Sequence, residues 1–120
     1  MAAVALLEKI GLKRYKIASG EVENMLMIDR ISRTGKDMIL SSGMSSYPEL
    51  DRTVEFIRAK GNRLSLMQCT TAYPTPPEKV GLNVISEMRK RYALPIGLSD
   101  HSGKIFPSLA AVALGAELIE

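Results

Sequence analysis

The chain has 120 residues, 46% hydrophobic and 24% charged, with a net charge of +3, and reads as one globular unit over residues 1–120 with a core of its own. No apolar run approaches the roughly 20 residues of a membrane helix, the opening MAAVALLEKIGLK lacks a basic start before its apolar part, and a single cysteine, Cys69, excludes an internal disulfide or a multi-cysteine zinc site. Together these point to a cytoplasmic protein without membrane contact; sixteen Lys and Arg scattered among thirteen Asp and Glu offer nucleic acid no basic stripe and suit a small anionic substrate.

In chain order, a helix-patterned opening ends at Gly11, and the run Tyr15–Ala18 (YKIA) predicts the first strand. Met27, Ile28 and Ile31 share one helical face, Gly35 follows, and Met38–Leu40 (MIL) is the second strand. Leu50, Val54 and Ile57 form the next face, followed by Gly61 and the third strand, Leu64–Cys69 (LSLMQC). Pro74, Pro76 and Pro77 stiffen the loop beyond it, with Pro77 placed to start the helix that carries Ile85, Met88 and Tyr92. Leu94–Leu98 (LPIGL) is the fourth strand, Leu109, Val112 and Ala116 are the last helical face, and Glu117–Ile119 (ELI) the fifth strand after Gly115. Four of the five strands thus follow a helix-ending glycine, the residue that a tight turn from helix to strand requires.

Such alternation with short connections implies parallel strands. A doubly wound sheet announces its ligand with a glycine-rich phosphate loop, and neither G-x-G-x-x-G nor a P-loop occurs here. A (β/α)8 barrel instead sets single polar residues at the carboxyl ends of many strands. This chain has Ser19 and Glu21 after the first, Ser41 and Ser42 after the second, Thr70, Thr71 and Tyr73 after the third, and Ser99, Asp100 and His101 after the fourth. The expected fold is therefore a partial TIM-type (β/α)8 barrel of about five parallel strands, since a whole barrel takes roughly 250 residues. Its two bare sheet edges point to a homodimer.

The segments YKIASGE, MILSSGMS, QCTTAYPTPPEKVGLNVI and GLSDHSGKIFPSLAAVALGAELIE resemble the barrel domain of the sialic acid (N-acetylneuraminate) synthase family, which includes legionaminate and pseudaminate synthases and spore-coat polysaccharide enzymes. The resemblance spans nearly the whole chain and covers a C-terminal part of that barrel. It implies condensation of phosphoenolpyruvate with an N-acetylated amino sugar such as N-acetylmannosamine, giving a nine-carbon 2-keto sugar acid and phosphate, with Mn²⁺ or Mg²⁺ on the aldehyde oxygen. By motif, Lys16, Ser19, Ser41 and Ser99 would hold phosphoenolpyruvate, Thr71 and Tyr73 would contact substrate, and His101 would ligate the metal. Glu21 and Glu120 would serve as catalytic carboxylates. The family usually has asparagine where this chain has Thr71, and its second metal histidine falls two positions past Glu120.

On the residues alone other readings stand beside these. A histidine at a strand end also serves as a hydrogen-bonding residue, Lys16 as a solvated edge lysine, Glu21 as a helix cap, and Cys69 as a small buried apolar group. A Schiff-base aldolase using Lys16 is the alternative chemistry. A catalytically inactive fragment or assembly module is the alternative role, and a Cys69–His101 hydrolase pair stands furthest off.

Overall fold

The computed structural model describes residues 2–120. Helices α1 (Ala2–Ile10), α2 (Met25–Ser32), α3 (Tyr47–Ala59), α4 (Leu82–Tyr92) and α5 (Phe106–Ala113) alternate with strands β1 (Arg14–Ile17), β2 (Asp37–Ser41), β3 (Leu64–Cys69), β4 (Ile96–Ser99) and β5 (Leu118–Ile119). The strands pair in the order β1-β2-β3-β4-β5, every pair parallel. A doubly wound sheet reverses its order at a switch point; this one never does, so right-handed crossovers collect the helices on one face. The sheet curls into half a barrel. Lys16 on β1 and Glu120, just past β5, meet at 2.9 Å, although four strand spacings laid flat would separate them by roughly 19 Å.

Alternation along the strands divides the two faces. Tyr15, Ile17, Met38, Leu40, Leu66, Ile96 and Leu98 point outward and are buried against the stripes Ile28 and Ile31 on α2, Leu50, Val54 and Ile57 on α3, and Ile85, Met88 and Tyr92 on α4. Each large side chain buried this way contributes about 1.5–3 kcal/mol. The outer layer therefore holds the fold, and the concave face is free to carry Lys16, Ser41, Ser65 and Ser99.

Local signals set the element ends. The Asn24 side chain caps α2 by accepting from the Met27 amide at 3.2 Å, and Glu49 reaches back to accept from the Ser46 amide at 2.6 Å at the start of α3. The four helix-ending glycines, Gly11, Gly35, Gly61 and Gly115, are left-handed at φ +79°, +70°, +80° and +89°. The fifth such position, after α4, is Ala93 at φ +50°, a conformation that costs a residue with a Cβ about 1–2 kcal/mol.

Three expectations change. The third strand matches its span read from sequence and the other four differ from theirs by one or two residues, and Pro77 opens a single 3₁₀ turn (Pro77–Lys79), with α4 beginning five residues later at Leu82. The last helix buries Ala111, whereas Leu109 and Val112 are 63% and 55% exposed and Ala116 lies beyond its end. Its sequence, FPSLAAVA, has Ser108 as its one polar residue, so periodicity hardly chooses a face; Ala111, small enough for the closest approach, takes the inner side. Among the described residues no helix is long and apolar enough to cross a membrane.

Candidate active site

Parallel strands bring all their carboxyl ends to one rim, and the loops there are tied to one another. Ser19, opening the 3₁₀ turn after β1, lies 3.0 Å, hydroxyl to hydroxyl, from Ser41 at the end of β2. The Gly43 amide donates to Ser19 Oγ at 3.0 Å, and Thr71, in the loop after β3, donates from its hydroxyl to the Gly43 carbonyl at 3.2 Å. The Thr75 amide donates to the His101 carbonyl at 2.9 Å, joining the loops after β3 and β4. Asp100 fixes the next turn by accepting from the Ser102 amide at 2.8 Å and the Ser108 hydroxyl at 3.2 Å.

The charged centre lies on the concave side. Glu120 Oε2 accepts from Ser99 Oγ at 2.6 Å and pairs with Lys16 Nζ at 2.9 Å. Burial pushes the Glu120 carboxyl up, but hydrogen bonds from Ser99 and Lys16, with the charges of Lys16 and His101, hold it below the ordinary carboxylate value. At neutral pH it is an anion opposite a cation. Lys16 is 36% exposed and half of this ion pair, whereas a lysine that forms an imine is activated by desolvation or by a neighbouring cation.

His101 is half-buried, with Tyr73 set edge-on at 4.5 Å between ring centroids. Its Nδ1 faces the Ser99 carbonyl at 3.4 Å. Tyr73 is 70% exposed at the mouth of the hollow and precedes a cis peptide to Pro74. Glu21 stands outside the cluster, exposed, accepting from the Asn24 side chain at 2.7 Å, so it buttresses the residue that caps α2. Cys69 is buried, and no hydrogen bond joins it to His101 among the described residues.

The structure thus gathers Lys16, Ser19, Ser41, Thr71, Ser99, Glu120 and His101 on or beside one concavity and sets Glu21 apart. Sequence reading missed Gly43 and Gly97. A Cβ at Gly97 would lie 2.5 Å from the Leu118 carbonyl oxygen, so this glycine lets β5 close on β4 and brings Glu120 within reach. A glycine inside the strand-like run LPIGL was the available signal. An open groove of about 640 Å³ lies elsewhere, between Pro74–Pro77 and the start of α5. Its lining is mostly apolar, with Lys104 its one charged residue, so it lacks the converging donors that a small polyanion needs.

A Mn²⁺ or Mg²⁺ ion would find few ligands here. Among the described residues no three of His, Cys, Asp and Glu gather to hold a metal, His101 is the single histidine, and Asp100 beside it is committed to Ser102 and Ser108. One imidazole does not make a metal site.

The chain is 39% identical to the N,N'-diacetyllegionaminic acid synthase of Campylobacter jejuni, with 100% of this chain and 37% of that protein aligned. It is 37% identical to the human N-acetylneuraminate-9-phosphate synthase over 98% of this chain and 33% of that protein. It therefore spans about a third of the length of these curated relatives. A crystal structure of N-acetylneuraminic acid (sialic acid) synthetase from Leptospira borgpetersenii, in complex with citrate, superposes with a TM-score of 0.96 at 34% identity, covering 100% of this chain and 42% of the other. The NeuB family model matches residues 1–120, and the chain belongs to the NeuB family.

Proposed function

We propose that this half-barrel is the phosphoenolpyruvate-binding sector of a synthase that condenses phosphoenolpyruvate with an N-acetylated amino sugar aldehyde. The observation that carries the reading is the convergence of Lys16, Ser41 and Ser99 on one concavity, in a chain whose relatives make sialic and legionaminic acids. Phosphoenolpyruvate presents a phosphate and a carboxylate, and an ammonium with fixed hydroxyls is the donor set that recognises them. Glu120 pairs with Lys16 and accepts from Ser99; an arriving anion takes over those donors and frees the carboxylate. The enol π pair of phosphoenolpyruvate attacks the aldehyde carbon, forming the new C–C bond as the C=O π bond breaks, and the aldehyde oxygen takes up a proton to become a hydroxyl of the product. Water adds at the cationic C2, ionised Glu120 would accept the proton it releases and return it toward the new hydroxyl, and the C2–O bond to phosphate then breaks, the second water proton leaving with phosphate to give the 2-keto acid.

The test is titration of the chain with phosphoenolpyruvate, read from backbone amide shifts. Saturable shifts confined to the β1, β2 and β4 rim, lost in Lys16→Ala and Ser99→Ala, are the expected result. Absence of saturable binding, or binding indifferent to both substitutions, overturns the reading. Borohydride with pyruvate should leave Lys16 unmodified, and a trapped adduct there would favour the Schiff-base chemistry instead.

A further inference from the structure

Gly43 appears in no catalytic pattern, yet three rim loops meet on its backbone. Its N–H donates to Ser19 Oγ at 3.0 Å and its carbonyl accepts from Thr71 Oγ1 at 3.2 Å. The Ser19 and Ser41 hydroxyls lie 3.0 Å apart, and Ser41 is 1% exposed. A hydroxyl carries one proton and two acceptor lone pairs. The two serines together hold two protons, and one makes the bond between them. The Gly43 N–H fills an acceptor site on Ser19, so whichever serine donates to the other, one proton is left over, and no other described residue accepts it. An anion in the hollow is the natural acceptor.

Only glycine fits where this happens. A Cβ on residue 43 would lie 2.7 Å from Thr71 Oγ1, 2.8 Å from Ser19 Oγ and 2.9 Å from Cys69 Sγ, closer than real contacts of this kind. Cys69 is buried, which leaves the two hydroxyls to move, and their displacement breaks both bonds to the Gly43 backbone.

We infer that Gly43 is a positioning residue: its amide sets the Ser19–Ser41 hydroxyl pair so that one proton faces an oxyanion of the ligand. This rests on the proposed function insofar as the ligand is phosphoenolpyruvate, while the shared chemistry is an oxyanion, whether phosphate or carboxylate. Gly43 contacts no substrate itself and acts through Ser19.

The experiment titrates wild type, Gly43→Ala, Ser19→Ala and the double variant separately with inorganic phosphate, pyruvate and phosphoenolpyruvate, following amide shifts, with melting temperatures measured alongside. Gly43→Ala and Ser19→Ala should each weaken phosphoenolpyruvate binding tenfold or more, with the double variant no weaker than Ser19→Ala alone, because both act through one hydroxyl. Additive losses, or binding unchanged in Gly43→Ala, overturn the inference. Inorganic phosphate and pyruvate report which anionic group the pair faces. Gly43-dependent phosphate binding without phosphoenolpyruvate binding supports the inference and overturns the synthase reading. Phosphoenolpyruvate binding indifferent to Gly43 does the reverse, and a wild type that binds no anion overturns both. Should Gly43→Ala not fold, hydrogen exchange decides: the Gly43 amide should exchange several-fold faster in Ser19→Ala, and an unchanged rate overturns the inference.

Discussion

Replacing Glu120 with glutamine should tighten anion binding while leaving the fold nearly as stable. The carboxylate holds Lys16 at 2.9 Å and Ser99 at 2.6 Å, so an incoming anion must displace it and then sit beside a like charge. At a separation of roughly 4 Å that repulsion is about 1 kcal/mol in bulk water and about 4 kcal/mol at an effective dielectric of 20. The Lys16 and Glu120 side chains are 36% and 46% exposed, which places the interaction near the watery limit. About 1–2 kcal/mol, for ligand charge between one and two, corresponds to affinity about five- to thirtyfold tighter. The stability change should stay within about 1 kcal/mol, as for other exposed ion pairs. Calorimetric titration of Glu120→Gln and wild type with phosphoenolpyruvate at low salt measures the difference, and added salt should shrink it. Equal or weaker binding by Glu120→Gln would refute the idea that the carboxylate competes for Lys16.

Four further outcomes follow from the same contacts. Ala93→Gly, at the exposed left-handed position after α4, removes a penalty of about 1–2 kcal/mol against a cost of roughly 0.5–1 kcal/mol for glycine's extra freedom when unfolded. It should raise the melting temperature by a few degrees. Gly97→Ala should destabilise by about 1–3 kcal/mol through overpacking against Leu118, and a specific broadening of β5 amides would show the strand loosening. Glu8, Asp29, Glu49, Asp51 and Glu120 all have carboxyl pKa values lowered in the fold, Asp51 through its hydrogen bond from Arg91 and Glu8 through that from Lys36. Because each folded value lies below the unfolded one, their stabilisation is complete above the ordinary carboxylate values of about 4. It drains as pH falls through the lowered ones, which urea midpoints measured from pH 6 down to 2 should trace. The exposed apolar groups Phe106, Leu109 and Val112 on α5, beside the unpaired edge of β5, should make the chain self-associate, and light scattering that reports monomer at micromolar concentration would contradict this.

Much of the fold could be read before any coordinates. The strands are short apolar runs and the helices between β1 and β4 have one polar side, so periodicity separates them. The glycines at 11, 35, 61 and 115 mark helix ends because few other residues take that conformation without strain. The face of α5 was not legible, since a helix with Ser108 as its one polar residue presents little contrast and only packing selects Ala111. Strand-end polar residues disclosed the rim, but not its wiring. The Lys16–Glu120 pair joins the first and last strands, a contact that exists only once the sheet has curled. Gly43 reads as an ordinary loop glycine until Ser19, Cys69 and Thr71 are placed around it.

A crystal structure of the chain with phosphoenolpyruvate bears on all of this at once. The ligand should lie in the concavity, with Lys16 Nζ, Ser41 Oγ and Ser99 Oγ within hydrogen-bonding distance of its phosphate or carboxylate oxygens and Glu120 displaced from Lys16. Phosphoenolpyruvate bound instead in the groove between Pro74 and Phe106 or on the helical face, or a Lys16–Glu120 pair left intact beside it, would contradict the assignment of this rim as the substrate site.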